Sequence, residues 1–221
     1  MNPLRTAAFA LAVIVPLCAC APGGDQAHAP ASSASIATWQ TPANTSRARH
    51  VADIYANPAW AFRIEVPQGW IVHRGFSQGY LANGAWKTYA APGSQGTPIV
   101  ALVLPGSDRI TSAEIRIGAS RDANEIQNCA VLPEAVRPGN PQRARVGNAD
   151  FTAFEASDAA MSHYLTVHSY RAVHEGACYA LDLLVYGVNP QVYSPPAKPP
   201  FATEQAFARM QAVLQTFRFT R

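Results

Sequence analysis

The sequence predicts an α+β domain built on a mainly antiparallel sheet, flanked by a short inserted helix and a C-terminal helix. Three observations predict it. Strand-like apolar runs lie before and after one short helical segment, not in strand–helix alternation, which excludes a βαβ repeat. Glycine (14) and proline (18) are frequent, which favours short elements and turns. Phe207, Met210, Leu214 and Phe217 recur at helical spacing near the end of the chain.

The elements follow in order. In "AFRIEVPQGWIV", Phe62, Ile64 and Val66 alternate, a Pro-Gln-Gly turn follows, and "WIV" starts a second short strand. "WKTYAAP" reads as a strand. "PIVALVLP" reads as another, and its continuous apolar run predicts a central position. "EIRIGAS" is a further strand. Asp122 three residues before Glu125 is a capping-box-like start for a helix over "ANEIQNCA". Pro133, Pro138 and Pro141 make the next stretch a loop. "DFTAFEAS", "SHYLTVHSYRAV" and "CYALDLLVYGV" are three strong strands, with Gly176 in the turn between the last two. A proline-rich loop then leads to the C-terminal helix and a closing strand, "FRF".

Two stretches carry a family resemblance. "NPAWAFRIEVPQGWIV" resembles the opening of the PsbP-like fold, in which an aromatic strand is followed by P-x-G-W. "FARMQAVLQTFRF" resembles its closing helix and strand. The match covers about a fifth of the chain. It implies a sheet sandwiched by helices, and binding or assembly work more than catalysis.

The N-terminus reads as an address. "MNPLR" is short and positive, and the uncharged run Thr6–Ala19 is too short for the ~20 apolar residues of a spanning helix. "LCAC", residues 17–20, resembles the bacterial lipobox. The resemblance implies cleavage before Cys20, which is then acylated; Cys18 at −2 departs from the usual small residue. Ala21, where inner-membrane retention favours Asp, implies the outer membrane. Residues 1–19 are thus read as a signal peptide and 20–50 as a lipidated cysteine with an Ala/Ser/Pro/Gly-rich tether. Residues 51–221 form a single periplasmic domain. Without the first nineteen residues the formal charge falls from +3 to +2. Lys87 and Lys198 are the only lysines and the arginines are scattered, so there is no nucleic-acid footprint.

With Cys18 removed and Cys20 acylated, Cys129 and Cys178 are the remaining thiols. An oxidising compartment favours a disulfide between them. A redox pair or metal site is the alternative, but no Cys-x-x-Cys occurs and no histidine lies at ligand spacing.

"GFSQG", Gly75–Gly79, matches G-x-S-x-G. A nucleophile elbow must open a helix behind Ser77, whereas "YLANGAWKTY" reads as turn and strand. His163, His168 and His174 lie on one strand. His168 and His174 share a face but stand ~20 Å apart, so no metal is expected. Tyr164, His168 and Tyr170 share that face and form a candidate binding surface. Asp182, in the middle of "YALDLLV", lies on a strand that reads as central and must be paired or solvated. It is either a structural hydrogen-bond acceptor or the floor of a site.

The expectation is a non-enzymatic envelope lipoprotein, without cofactor, that binds a protein or envelope component. A periplasmic serine hydrolase using Ser77, and an immunity or inhibitor protein against an envelope-active enzyme, are the alternatives.

Overall fold

In the computed structural model, described for residues 52–76, 85–133, 136 and 141–220, two antiparallel sheets and two helices form the domain. A small sheet has the order β1 (Asp53–Asn57), β2 (Phe62–Val66) and β10 (Arg218–Phe219), with β2 in the middle. The large sheet contains β3 (Ile71–Arg74), β4 (Thr97–Val103), β5 (Thr111–Ser120), β6 (Gln142–Val146), β7 (Ala149–Ala160), β8 (His163–His174) and β9 (Ala177–Val188). Its spatial order is β3-β4-β5-β9-β8-β7-β6. The two stretches that resemble the PsbP-like ends are neighbours here, because β10 pairs with β2 through Arg218↔Arg63 and Phe219↔Phe62.

The central strand is β9. Ala177 to Val185 are buried without a break, because both faces of β9 are covered. On one face lies α2 (Thr203–Leu214), which buries Ala206, Phe207, Met210, Val213 and Leu214, one stripe of a 3.6-residue helix. On the other lies α1 (Ala123–Gln127), whose Ile126 packs with Trp86, Cys129, Cys178 and Ala180. The sheet is therefore held between the two helices, as expected.

Local chemistry explains the joints. Asp122 caps α1 by accepting from the Asn124 and Glu125 backbone N–H groups at 3.0 and 3.1 Å. The capping box is not closed: Ser120 Oγ takes the Asp122 N–H, and Glu125 turns to Lys87 instead. Strands β6 to β9 are joined by two-residue turns with positive φ at Gly147, at Met161 and Ser162, and at Glu175 and Gly176. Gly147 has a second reason to lack a side chain, since a Cβ there would stand 1.7 Å from the Phe217 carbonyl oxygen. Past α2, Phe217 is wholly buried and stacks on Phe62 at 5.5 Å, so it belongs to the link into β10 and not to the helix.

Three expectations are corrected. Residues 85–96, containing "WKTYAAP", form no strand; side chains anchor them instead of ladder bonds. "PIVALVLP" is interior but second from the edge, with a register shift between Pro98 and Val100, where a proline cannot donate to the ladder. Strands β1 and β6 lie where no strand was anticipated, because both are short and mostly exposed and so lack apolar alternation. The second short strand after "FRIEV" is present as β3, in the large sheet and paired with β4.

The Cys129–Cys178 disulfide is present, with a Cα–Cα distance of 5.5 Å and a sequence separation of 49. It ties the residues just after α1 to the start of the central strand.

Candidate functional site

Among the described residues, the helix-side face of the large sheet is only partly covered. Helix α2 lies over β5 and β9, and strands β6 to β8 extend beyond it. The uncovered part is a groove of 620 Å³ whose lining includes Ala144, Ala153, Glu155, His168, Tyr170 and Gln211. Strand alternation puts these side chains together. Glu155 is directly across from His168, and Ala153 from Tyr170. Gln211 comes from the helix, one turn beyond Phe207.

His168 is the centre of this arrangement. Its ring stacks on Phe207 with centroids 3.8 Å apart and planes 3° from parallel. Its Nε2 lies 3.5 Å from Glu155 Oε1, and its Nδ1 lies 3.4 Å from Gln211 Nε2. A neutral ring fits both contacts, with Nε2–H toward the carboxylate and Nδ1 accepting from the amide. Burial holds the His168 pKa below its ordinary value, against the opposing pull of Glu155. Burial also raises the Tyr170 phenol; a hydrogen bond with Gln211 opposes this and Glu155 adds to it. Near neutral pH the groove presents a neutral imidazole, a neutral phenol, an amide and one exposed carboxylate. Such a set recognises polar groups by hydrogen bonding.

The three residues of the candidate binding surface part company. His168 and Tyr170 line the groove. Tyr164 is tied to Thr111 by a hydroxyl–hydroxyl contact of 2.7 Å at the far end of the sheet. His174 stacks on Phe219 at 3.9 Å, on the same face as His168 but over the small sheet. Glu155 and Gln211 were missed in the sequence. Their only signal was pairing register and helix phase relative to His168, and neither is local information.

The opposite face holds a buried polar row. Asp182 Oδ1 accepts from Arg171 Nη1 at 2.6 Å and from Ser169 Oγ at 2.7 Å, while Oδ2 accepts from the Thr88 N–H at 2.8 Å. Asp182 is thus a structural acceptor. Next to it, Arg116 pairs with Glu114 Oε1 at 2.5 Å, and Glu114 Oε2 has no hydrogen-bond partner among the described residues although Glu114 is fully buried. Residues 85–92 seal part of this row: Trp86 is buried with its indole N–H on Ser94, and Lys87 reaches Glu125 at 2.5 Å. Burial pushes the Glu125 carboxyl up, but hydrogen bonds from Lys87, Ser94 and the Gln95 backbone, with the charge of Lys87, leave it below its ordinary value.

Ser77, Cys18, Cys20 and the tether lie outside the described residues. So does all of "GFSQG" beyond Phe76. Gly75 still donates its N–H to the Ile99 carbonyl, in line with the β3–β4 pairing.

No family model matches the sequence. No curated protein matches it. Among solved structures, the chain is similar to one from Bacteroides thetaiotaomicron, with 11% identity and a TM-score of 0.45. That match covers 77% of this chain and 49% of the other, so this chain spans about half its length. The chain is also similar to LpqN, involved in cell envelope biogenesis of Mycobacterium tuberculosis, with 10% identity and a TM-score of 0.38. Here the match covers 77% of this chain and 86% of LpqN.

Proposed function

We propose that the protein is an envelope lipoprotein, acylated at Cys20 and held at the outer membrane, whose domain binds a protein or envelope component without catalysing a reaction. The observation that carries the binding role is the groove left open beside α2, with His168, Glu155, Tyr170 and Gln211 turned into it. The lipobox-like "LCAC" supports the location. The resemblance of the two ends to the PsbP-like fold supports binding or assembly over catalysis.

The test is a capture experiment from envelope extract with the wild-type chain and two groove variants, Glu155→Lys and Gln211→Ala. Glu155 is 77% exposed at its side chain, so its replacement leaves the fold intact. Capture that both variants abolish, at unchanged melting temperature, supports the groove as the binding surface. Capture indifferent to both variants refutes it. Ser77-dependent labelling by a fluorophosphonate probe would overturn the non-enzymatic reading in favour of a hydrolase.

A further inference from the structure

The end of the domain where the tether enters has its own unusual surface. The described chain begins at Ala52, and β1 starts at the next residue. Beside it, Ile54 is 59% exposed, Ile71 55% and Val72 42%. Among the described residues β3 is an edge strand, hydrogen-bonded to β4 on one side, and all four of its residues are exposed, Ile71 and Val72 included. A hollow of 260 Å³ lies between β1 and the 67–72 turn, with Ile54, Pro67, Trp70 and Val72 in its lining. Trp70 packs partly on the main core, which fixes the turn in place. Natural edge strands are usually blunted by charge, bulge or cover. This one keeps its charge, Arg74, at the far end and starts with two aliphatic residues, Val72 on the face of the hollow and Ile71 on the opposite face.

We propose that this end, formed by Ile54, Trp70, Ile71 and Val72, seats on the surface of the bilayer that holds the Cys20 anchor. The inference rests on the proposed acylation of Cys20. Thirty residues, 21–50, separate Cys20 from this end, which bounds its distance from the bilayer at ~100 Å. The bilayer is then always within reach of this end, and tethering converts a weak surface affinity into an intramolecular one at high effective concentration. The contact is shallow. Glu65 lies opposite Ile54 in the β1–β2 register, and Asp53 lines the same hollow, so both carboxylates stay at headgroup level. Trp70 has the apolar body and polar N–H that suit this depth. Arg74 and His73, exposed at the end of β3, are placed for lipid phosphates. Seating this end leaves the groove beside α2 available for a partner.

The test is hydrogen exchange on the acylated full chain in protein-free vesicles of phosphatidylethanolamine and phosphatidylglycerol. The Cys20→Ser full chain, free in solution, is the reference. Slower exchange over residues 53–57 and 67–74 in vesicles, lost in Ile71→Asp/Val72→Asp, supports the proposal. Both substituted positions are exposed, and an unchanged melting temperature of that variant confirms its fold. Equal exchange in the two samples overturns it. Protection that is already present in the free Cys20→Ser chain, and that Ile71→Asp/Val72→Asp removes, also overturns it, because the tether or a second copy is then the cover. An intact mass without acyl chains overturns the anchor itself, and the proposal with it. The groove variants report on the binding role separately.

Discussion

Replacing Asp182 with alanine should cost the domain ~3–5 kcal/mol, the range for breaking a buried ion pair by removing one partner. The structure shows why the upper range applies. Asp182 and Arg171 are 1% and 3% exposed, and the carboxylate takes three hydrogen bonds, from Arg171, Ser169 and the Thr88 backbone. Without it, the buried guanidinium loses its counter-ion and keeps only uncharged acceptors, the Tyr170 and Thr88 carbonyls and the Thr88 hydroxyl, while the Thr88 N–H loses its acceptor beneath the 85–92 segment. For a domain of this size each kcal/mol shifts the melting temperature by ~2–4 °C, so the expected drop is about 6–20 °C. The assay is thermal and urea unfolding of the oxidised protein, followed by far-UV circular dichroism. Near-UV signal from Trp86 reports separately whether the covering segment detaches. The double variant Asp182→Leu/Arg171→Met removes both charges together, and should recover most of the loss, because an apolar pair of similar size can replace a buried ion pair. A loss below ~1 kcal/mol for Asp182→Ala would refute the reasoning, since only a solvated carboxylate is worth so little. A double variant as unstable as the single one would show that packing, not charge burial, sets the cost.

Three other predictions follow from the same contacts. Gly118→Ala should displace the covering segment, because a Cβ there would stand 1.9 Å from the Trp86 carbonyl oxygen; loss of near-UV signal with far-UV signal retained is the expected outcome. Cys129→Ser should lower stability by ~4 kcal/mol for a loop of 49 residues in the chain-entropy model, read as the urea midpoint without reductant. His168 is held below its ordinary pKa of 6.5 by burial, so below about that pH the unfolded chain binds the extra proton first. Stability from this group is therefore complete above pH 6.5 and is lost as the pH falls; His168→Gln should flatten that part of the melting-temperature profile, and a parallel profile would contradict the burial.

Much of the architecture is local and therefore legible. The alternation of Phe62, Ile64 and Val66, the helical stripe of Phe207, Met210 and Leu214, the Asp122 cap and the Gly176 turn each encode their element within a few residues. The pairing of Cys129 with Cys178 was also readable, once compartment and competing cysteines were considered. "WKTYAAP" misled because its apolar and β-branched residues suit a strand, yet Thr88 bonds to a carboxylate 94 residues away instead of to a ladder. Strands β1 and β6 escaped notice because edge strands need no apolar face.

By itself, then, the sequence determined the α+β class, the strands with an apolar face, both helices and the cysteines available to pair, because these follow from short-range periodicity and chemistry. It also holds the lipobox-like stretch on which the proposed anchor rests. Only the tertiary structure decided that "PIVALVLP" lies next to the edge while β9 takes the centre, that Asp182 is a paired acceptor, and that His168 meets Glu155 and Gln211 while Tyr164 does not join them. Those outcomes depend on strand order, register and which face a helix covers. Each is set by packing between residues distant in sequence, and no local pattern records it.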